Sequence, residues 1–341
     1  MDNIKVISIS DLDDNGWQDY FNLTVEIYRK FPSGEIYNDG SWQNFKARIL
    51  KTCEIYQERG YEEYLVSFNE KPAAWLALRL VNRGSFIEFN TIYELVPGDI
   101  MKAILSKLYD YMCRENVENS YYQSFNGHCI SALKETGAEV TEELITTKLE
   151  RENMDPVFYR EIINNTDISG YKLDLFTSFP VEVVDEFTVL MNDIFKGIDS
   201  LNPYGAVIGE RTGSFWLRKY GNEKAGGSEL KMSMLFDSDN SIAAYCSLFV
   251  DPDNPLTVRH GGGYTVVNKK YRGKGFAKYL KAIMYLKLLE ENSDFTNIET
   301  DTMPWNKYMY RINEEFGFVP YEHGNEFRFT KDFLENYLEN K

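Results

Sequence analysis

The sequence predicts a mixed α/β or α+β fold, in a chain long enough for two ordinary domains or one large one. Three observations support this prediction. The chain has 341 residues, its composition is 43% hydrophobic and 26% charged, and strand-like and helix-like segments are mixed in both halves. Such a composition supplies a sizeable apolar core and excludes a wholly disordered chain.

Strands are predicted where β-branched and aromatic residues are concentrated between turn signals. These segments are 64–68, 73–81, 86–93, 230–236, 242–250, 257–267 and 297–302. Helices are predicted where apolar residues recur near the 3.6-residue period. These segments are 17–30, 100–115, 181–195, 277–291 and 307–315. Both kinds of element occur in both halves, which indicates α/β or α+β architecture throughout.

The two halves read alike, which predicts a duplicated domain. A short helix runs from Asn126 to Gly137 in the first half and from Asn306 to Gly317 in the second, an offset of 180 residues at both ends. The polar stretch 153–170 shows little periodicity and is the predicted boundary. We therefore expect a first domain at 1–152, a linker at 153–169 and a second domain at 170–341.

The net charge narrows the choice of partners. With 37 Lys and Arg against 53 Asp and Glu, the chain carries −16 at pH 7. A protein this acidic repels phosphate backbones and anionic lipid, so we expect neither a nucleic-acid nor a membrane partner. The negative electrostatic potential of such a protein favours a cationic or neutral small substrate.

The cysteines and histidines lack the spacing of a metal site or a disulfide framework. Cys53, Cys113, Cys129 and Cys246 are far apart in the sequence, and so are the three histidines. The N-terminus has no secretory signal pattern, and no run of about 18 apolar residues occurs. The sequence therefore predicts free thiols, no metal and a cytoplasmic location. It does not indicate the oligomeric state.

The sharpest motif is a basic, glycine-containing turn between a predicted strand and a predicted helix, TVVNKKYRGKGFA at 265–277. Gly273 and Gly275 allow positive φ angles and a close approach to a ligand, because glycine has no Cβ. The amides at the start of the following helix favour an anion. Four cations predict a phosphate-bearing ligand rather than an ordinary surface turn: Lys269, Lys270, Arg272 and Lys274.

This turn resembles the acyl-CoA signature of the GCN5-related N-acetyltransferase (GNAT) superfamily. The signature requires Gln or Arg, then Gly three residues later, then Gly or Ala two residues after that. Arg272, Gly275 and Ala277 meet it. The family's asparagine between its fifth strand and fourth helix matches Asn306, and the Gly-Phe pair that closes this helix matches residues 317–318. The resemblance covers residues 170–330.

The resemblance implies a CoA site in the second half, with acetyl-CoA as cosubstrate. In the family, the turn holds the pyrophosphate and the fourth strand offers backbone groups to the pantetheine arm. The residues implied are Thr265, Val266, Val267, Arg272, Gly273, Lys274, Gly275, Phe276, Ala277 and Asn306. The resemblance also implies two tandem GNAT-like domains, each with a mixed, mostly antiparallel sheet flanked by helices.

The equivalent turn of the first half, YELVPGD at 93–99, does not suit a phosphate. Leu95 stands in place of the arginine, and Pro97 removes a backbone donor. Glu94 and Asp99 add negative charge beside the expected pyrophosphate position. We therefore expect a degenerate first domain without CoA, which completes the substrate cleft or stabilises the other domain.

The catalytic residues are less clearly indicated. Family members often carry a tyrosine seven residues after the junction asparagine, as the acid that protonates the CoA thiolate, but here that position is Asn313. Tyr310 lies on the same helical face and is the candidate substitute, or else packs against the sheet. The candidate bases that deprotonate the amine are His260 and Glu299, with Asp301 or a water chain as further alternatives.

Three glycines at 261–263 interrupt the predicted strand 257–267. Glycine inside a strand often marks a bulge or a close approach of a ligand. In the family a bulge here aims a backbone N–H at the thioester carbonyl. The alternative is a plain, flexible hairpin end.

Together these patterns predict an N-acyltransferase that moves the acyl group of acyl-CoA directly to a primary amine of a small molecule or peptide. The alternative is a non-catalytic CoA-binding or sensing protein, favoured by the missing tyrosine and the lack of an obvious base. A purely structural repeat protein is disfavoured, because the basic turn and Asn306 occur together in one half only.

Overall fold

The computed structural model describes residues 3–30, 40–57, 60–81, 84–201, 210–225, 227–251, 254–260, 264–291, 294–302 and 306–340. The strands are β1 (Ile4–Ser8), β2 (Glu62–Phe68), β3 (Lys71–Val81), β4 (Gly84–Thr91), β5 (Asn119–Ser124), β6 (Glu139–Glu150), β7 (Lys172–Phe176), β8 (Glu229–Phe236), β9 (Ile242–Asp251), β10 (Asn254–Arg259), β11 (Thr265–Val267), β12 (Asn297–Asp301) and β13 (Val319–Thr330). The helices are α1 (Asp14–Lys30), α2 (Trp42–Tyr56), α3 (Gly98–Arg114), α4 (Gly127–Thr136), α5 (Pro156–Asn165), α6 (Val184–Leu201), α7 (Gly213–Ala225), α8 (Phe276–Glu290), α9 (Lys307–Glu315) and α10 (Lys331–Glu339).

The chain folds into two compact units. Unit 1 consists of the described residues within 1–144 and 323–341, and unit 2 of those within 145–201 and 209–322. Along both halves the elements follow one order: a strand, two helices, three strands, a long helix, a strand, a short helix and a last strand. In the second half the third strand of the central three is divided into β10 and β11.

The sheet of unit 1 has the order β1-β2-β3-β4-β5-β13. Its pairs are antiparallel except for β4 and β5, which are parallel and pair at two positions, Ser85 with Ser120 and Phe86 with Tyr121. The last strand comes from late in the chain, since residues 325–330 of β13 pair with β5. Helices α3 and α10 bury apolar side chains against this sheet.

The sheet of unit 2 has the order β12-β10-β9-β8-β7, with residues 146–150 of β6 on the other edge of β12. Its pairs are antiparallel, except that β10 and β12 run parallel. Strand β11 pairs antiparallel with β9, beyond the end of β10. Helices α5 and α8 contribute buried side chains to the core of this unit.

The predicted fold class is confirmed: strands and helices are mixed, and the pairing is mostly antiparallel. The predicted strand 257–267 is two strands, because its end pairs with β9 only while its start lies between β9 and β12. The glycines at 261–263, where we expected a bulge or a hairpin end, lie outside the described residues.

Residues 153–169, expected to form a linker, contain helix α5. Asp155 caps this helix by accepting hydrogen bonds from two backbone N–H groups of its first turn. Tyr159 is fully buried, and its ring stacks on Phe316 with 5.5 Å between the centroids. This stretch is therefore part of the core of unit 2. The boundaries drawn at 152 and 170 stay a prediction.

The repeated asparagine–glycine pattern has the same local structure in both halves. Asn126 caps α4 and Asn306 caps α9, each through its side-chain oxygen. Gly137 follows α4 at φ 84° and Gly317 follows α9 at φ 89°, a left-handed conformation that favours glycine.

The four cysteines are free thiols, as predicted. Within the described ranges, no helix is long and apolar enough to cross a membrane.

Candidate active site

In unit 2, strands β11 and β12 diverge beside the glycine-containing turn. Strand β10 pairs with β12 at residues 257–259, and the His260 N–H then donates to the Glu299 carbonyl at 2.9 Å. Beyond this point β11 continues along β9, and no strand in the described part of unit 2 pairs with its other edge. The result is an opening between β11 and β12.

The open edge of β11 presents backbone donors and acceptors. The Ser247 N–H donates to the Tyr264 carbonyl, and the Asn268 N–H to the Ala243 carbonyl, both at 3.0 Å. Because antiparallel pairing alternates along a strand, the intervening residue 266 also faces β9, and Thr265 and Val267 direct their N–H and C=O groups to the open edge. An extended ligand could therefore pair with this edge as an added strand would.

The turn after β11 is shaped by its glycines. Gly273 and Gly275 both have φ 83°, and Gly275 caps α8 without any side-chain hydrogen bond. The backbone N–H groups from Gly273 to Ala277 have no hydrogen-bond partner among the described residues. Several unpaired amides at a helix N-terminus form an anion site.

The cations of the turn fall into two groups. Lys269 pairs with an aspartate at 2.8 Å and Lys270 with another at 3.7 Å. Arg272 and Lys274 are exposed and, within the described ranges, have no carboxylate partner. The Lys274 ammonium donates instead to the Tyr171 hydroxyl at 2.9 Å, and the Arg272 Nε–H donates to the Val267 carbonyl at 3.4 Å. Arg272 and Lys274 are thus the cations available to a phosphate.

A cavity of about 310 Å³ adjoins this turn, between the N-terminal part of α8 and helix α5. It is lined by Phe158, Glu161, Ile162, Asn165, Thr166, Gly275 and Lys278. The Lys278 ammonium pairs with Glu315.

Asn306 lies at the start of α9, after the end of β12. Its side-chain oxygen accepts from the Met309 N–H at 3.4 Å, which caps the helix. Its amide nitrogen has no hydrogen-bond partner in the described part of the chain. The residue is half-buried. Asn306 therefore has a side-chain donor still available to a ligand.

Tyr310 follows one turn later on α9. It is half-buried, whereas Tyr308 is 89% exposed and Asn313 only 2% exposed. Asn306, Tyr310 and Asn313 thus share the inner side of the helix, in the arrangement that the spacing predicts. The Tyr310 hydroxyl has no hydrogen-bond partner among the residues described.

His260 is buried, with 4% of its surface exposed. Its Nε2 lies 2.7 Å from the Tyr285 hydroxyl, and its ring also bonds to the Ser247 backbone. Burial, and then the positive charge of Lys281, lower the pKa of His260 well below its usual range. The imidazole is therefore neutral and its acceptor nitrogen is already occupied.

Glu299 lies on the opposite face of the sheet from His260. It accepts from the Tyr321 hydroxyl at 3.0 Å and lies 3.7 Å from the Arg259 guanidinium. Asp301 on the same face accepts from Thr146 at 2.8 Å. The two candidate bases are therefore separated by the sheet, and each has partners of its own.

The structure also reveals a buried polar group that the sequence reasoning missed. The Lys281 ammonium, on α8, donates to the Asn313 side-chain oxygen at 2.8 Å and to the Tyr285 hydroxyl at 3.3 Å. The Asn313 amide in turn donates to the Thr302 hydroxyl at 2.8 Å. A signal was present, because Lys281 lies at helical spacing from Met284 and Leu288, which are apolar and buried on the same helix.

No protein-family model and no curated protein matches the sequence. Solved structures match it over almost its whole length. A tandem GNAT protein from the clavulanic acid biosynthesis pathway, solved without acetyl-CoA, is 14% identical, with TM-score 0.74 over 96% of this chain and 98% of that chain. A GCN5-related N-acetyltransferase from Sphaerobacter thermophilus is 10% identical, with TM-score 0.58 over 97% of this chain and 96% of that chain.

An N-myristoyltransferase from Saccharomyces cerevisiae with bound myristoyl-CoA is 13% identical, with TM-score 0.57 over 96% of this chain and 83% of that chain. At such identities the likeness concerns the fold. The chain has the tandem GNAT fold, and the resemblance inferred from the basic turn is confirmed at that level.

Proposed function

We propose that unit 2 binds one acyl-CoA, with acetyl-CoA as the expected cosubstrate, and transfers its acyl group to a primary amine. One observation carries the proposal. The continuous segment 265–277 combines an open strand edge with a turn whose backbone amides from Gly273 to Ala277 are unpaired among the described residues, beside the exposed cations Arg272 and Lys274. The GNAT fold supports the same ligand, since one neighbouring structure holds myristoyl-CoA.

The pyrophosphate is proposed to bind the amides from Gly273 to Ala277, with Arg272 and Lys274 supplying charge. Hydrogen bonds to a charged group contribute about 1.5–3 kcal/mol each, roughly twice as much as those between neutral groups. The net charge of −16 would otherwise repel such a ligand, so the local cations matter.

The pantetheine arm is proposed to run along the edge of β11, from the turn toward residue 264. Its amides would pair with the backbone groups of Thr265 and with the Val267 N–H, since the Val267 carbonyl accepts from the Arg272 side chain at 3.4 Å. The Asn306 amide nitrogen would donate to the arm from the other side of the opening. This path brings the thioester to the point where β10 and β12 part.

For the chemistry, we propose Glu299 rather than His260 as the base. The partly exposed carboxylate of Glu299 can reach an ammonium substrate or a water, whereas the His260 nitrogen is held by Tyr285. Tyr310 is the proposed donor of a proton to the leaving thiolate, because its hydroxyl is unpaired in the described part of the structure. Transfer is direct, without an enzyme-bound acyl group.

Two measurements test this function. Calorimetric titration of the full chain with acetyl-CoA is expected to give one site. A turnover screen follows the release of CoA with polyamines, aminoglycosides, amino acids and peptide N-termini. Release that needs both the amine and the protein supports the transferase. Tight binding without any turnover would instead favour the CoA-sensing alternative, and no binding would overturn both.

A further inference from the structure

Lys281 is a buried ammonium surrounded by neutral partners. Only 1% of its surface is exposed, and no carboxylate among the described residues lies within ion-pair distance. Its two hydrogen-bond acceptors are the Asn313 amide oxygen and the Tyr285 hydroxyl. The ring centroids of Phe318 and Tyr285 lie 5.3 Å and 5.7 Å from the ammonium and compensate part of its charge. A buried charge without a counter-ion is still unfavourable, and burial lowers the pKa of Lys281 to about 8. A site of this kind is electrostatically complementary to an anion.

Asn313 has one donor to spare. Its oxygen accepts from Lys281, and one of its two amide hydrogens goes to the Thr302 hydroxyl. The second amide hydrogen has no acceptor within the part of the chain described, although the residue is only 2% exposed. Buried polar hydrogens are usually paired, so this one points to a group that binds there.

Lys281, Tyr285, Asn313 and Thr302 form a hydrogen-bonded network. The first half shows that the fold does not need this network. Leu133 stands at the offset of 180 residues from Asn313, and Ile104 follows Gly98 by the same six positions as Lys281 follows Gly275. Both are fully buried. Because two apolar residues fill the corresponding places in unit 1, the polar pair of unit 2 serves something other than packing.

The network reaches the strands that border the opening. Thr302 follows β12 directly, and Tyr285 bonds His260 at the end of β10. Cys246 of β9, which interacts electrostatically with Lys281, accepts a hydrogen bond from the Thr265 hydroxyl of β11 at 3.4 Å. Among the described residues, the titratable groups that face Lys281 are His260, Cys246 and Tyr285. Burial lowers the pKa of His260 and raises the pKa values of Cys246 and Tyr285, so all three are uncharged while the ammonium is charged.

We propose that Asn313 donates its spare hydrogen bond to the CoA sulfur as the thioester breaks, and that Lys281 is the positioning residue that holds and polarises this amide. The proposal rests on the acyl transfer proposed above. The amine nitrogen forms a bond to the thioester carbonyl carbon, and its proton passes to the base. The carbon–sulfur bond then breaks with its electron pair on sulfur.

The physical reason is polarisation. An ammonium hydrogen-bonded to an amide oxygen draws electron density toward that oxygen and strengthens the amide N–H as a donor. A hydrogen bond from this N–H to a thiolate is charge-assisted, and the dry surroundings strengthen it further. The bond to Thr302 fixes the amide plane, so the donor needs no reorganisation when charge appears on the sulfur.

The thiol pKa of CoA bound to the full-length protein tests this inference directly. It is read from the ultraviolet absorbance of the thiolate over a pH titration, with desulfo-CoA as the blank. The pKa of the bound thiol is expected to be lower by about one pH unit in the unmodified protein than in Lys281→Met. Lys287→Met removes a half-buried lysine from the same helix, 3.7 Å from Glu291, and is the matched control, expected to match the unmodified protein.

Acetyl-CoA kinetics give a second readout. Lys281→Met should lower kcat while leaving the KM for acetyl-CoA unchanged. If thermal melting shows that this variant does not fold, Lys281→Gln, which keeps a donor without the charge, replaces it under the same expectation. CoA that binds with the same thiol pKa in all variants would overturn the inference and leave the transferase intact. Failure of the unmodified protein to bind CoA would overturn the proposed function instead.

Discussion

Unit 1 and unit 2 each begin a long helix after a strand and a turn, and the two turns differ in charge and in backbone. In unit 1 the Pro97 carbonyl accepts from the N–H groups of residues 100 and 101, which uses amides that an anion would need. Glu94 lies 3.9 Å from Lys30, and Leu95 is 85% exposed. In unit 2 the corresponding amides are unpaired within the described residues, and the local charge is positive.

The junction asparagines differ in the same sense. In unit 1 the Asn126 amide donates to the Asn90 side chain of β4 at 2.9 Å, and the Tyr122 hydroxyl of β5 donates to the Phe89 carbonyl of β4 at 2.9 Å. Side chains thus join the two strands. In unit 2 the Asn306 amide nitrogen has no such partner in the described structure. In the same fold, a few side chains can therefore close or open the gap between these two strands, without a change of topology.

The largest expected difference between the units concerns their turn glycines. Gly275→Glu should weaken acetyl-CoA binding by more than about 100-fold, because it strains a backbone at positive φ, adds a charge and removes about two charge-assisted hydrogen bonds. Gly98→Glu should leave the dissociation constant unchanged, since a Cβ there meets no atom within 4 Å. Calorimetry on both variants checks this. Equal losses, or a stoichiometry near two, would contradict a single site in unit 2.

The next effect belongs to Tyr310, whose counterpart in unit 1 is Ile130. Tyr310→Phe keeps the ring and removes the proposed proton donor, so kcat with saturating acetyl-CoA should fall by about 10²-fold or more. Tyr308→Phe, on the same helix but 89% exposed, is the matched control and should have no effect. A fall of less than about three-fold in Tyr310→Phe, well below that catalytic range, would show that the thiolate leaves without a protein acid.

A smaller expected effect concerns the pH dependence of stability, because the core of unit 2 contains Lys281 where the core of unit 1 contains Ile104. Burial lowers the pKa of Lys281 from 10.5 to about 8, so between these values the unfolded chain binds more protons than the folded chain. Lys281 alone should therefore make the free energy of unfolding rise with pH in this window, by about 1.4 kcal/mol per pH unit. The thiols of Cys53, Cys129 and Cys246, whose pKa values burial raises, act in the opposite direction.

Urea unfolding at about pH 8 and about pH 9.5 measures the Lys281 contribution as the difference between the unmodified protein and Lys281→Met: stability should change more favourably with pH in the unmodified protein. Tyr285, whose pKa burial raises, lowers stability only at still higher pH, because its ordinary pKa is about 10. An equal change of stability with pH in the two proteins would contradict the lowered pKa of Lys281.

The smallest expected effect compares the two junction asparagines. Asn306→Ala should weaken acetyl-CoA binding about five-fold, through the loss of one hydrogen bond of about 1 kcal/mol. Asn126→Ala should leave binding unchanged. Both variants lose a helix cap, so both should lose about 1 kcal/mol of stability. Calorimetry and urea unfolding on the same pair separate the two effects. An equal change in the two dissociation constants would contradict the proposal that only Asn306 contacts the ligand.

The sequence was sufficient for the turn because its chemistry is local. Two glycines and their cations lie within a few residues, so their spacing alone predicts the positive φ angles and the exposed charge found at Gly273 and Gly275. Five helices with an apolar stripe were predicted for the same reason, whereas α2, α7 and α10 were not predicted. Helix α5 was not predicted either, because its short apolar stripe (Phe158, Tyr159, Ile162 and Ile163), which packs in the core of unit 2, lies within a polar stretch of the sequence.

The Lys281 network escaped prediction because its members are far apart in the chain. Lys281 and Asn313 are on different helices, and only the packing of α8 beside α9 brings them to 2.8 Å. The same applies to His260, whose suitability as a base depends on a tyrosine 25 residues away. Sequence spacing indicates which face of one element a residue occupies, but not which residue of another element it meets.

The position of β13 sets the order in which the protein can be completed during translation. Phe327, Phe329 and Leu334 are fully buried in the core of unit 1, yet the ribosome adds them after it has made nearly all of unit 2. Until then the edge of β5 that accepts β13 stays unpaired and part of the apolar face stays uncovered, and both features invite aggregation. The unit that is translated first is thus the one that finishes folding last. It must be protected from aggregation until β13 has been synthesised.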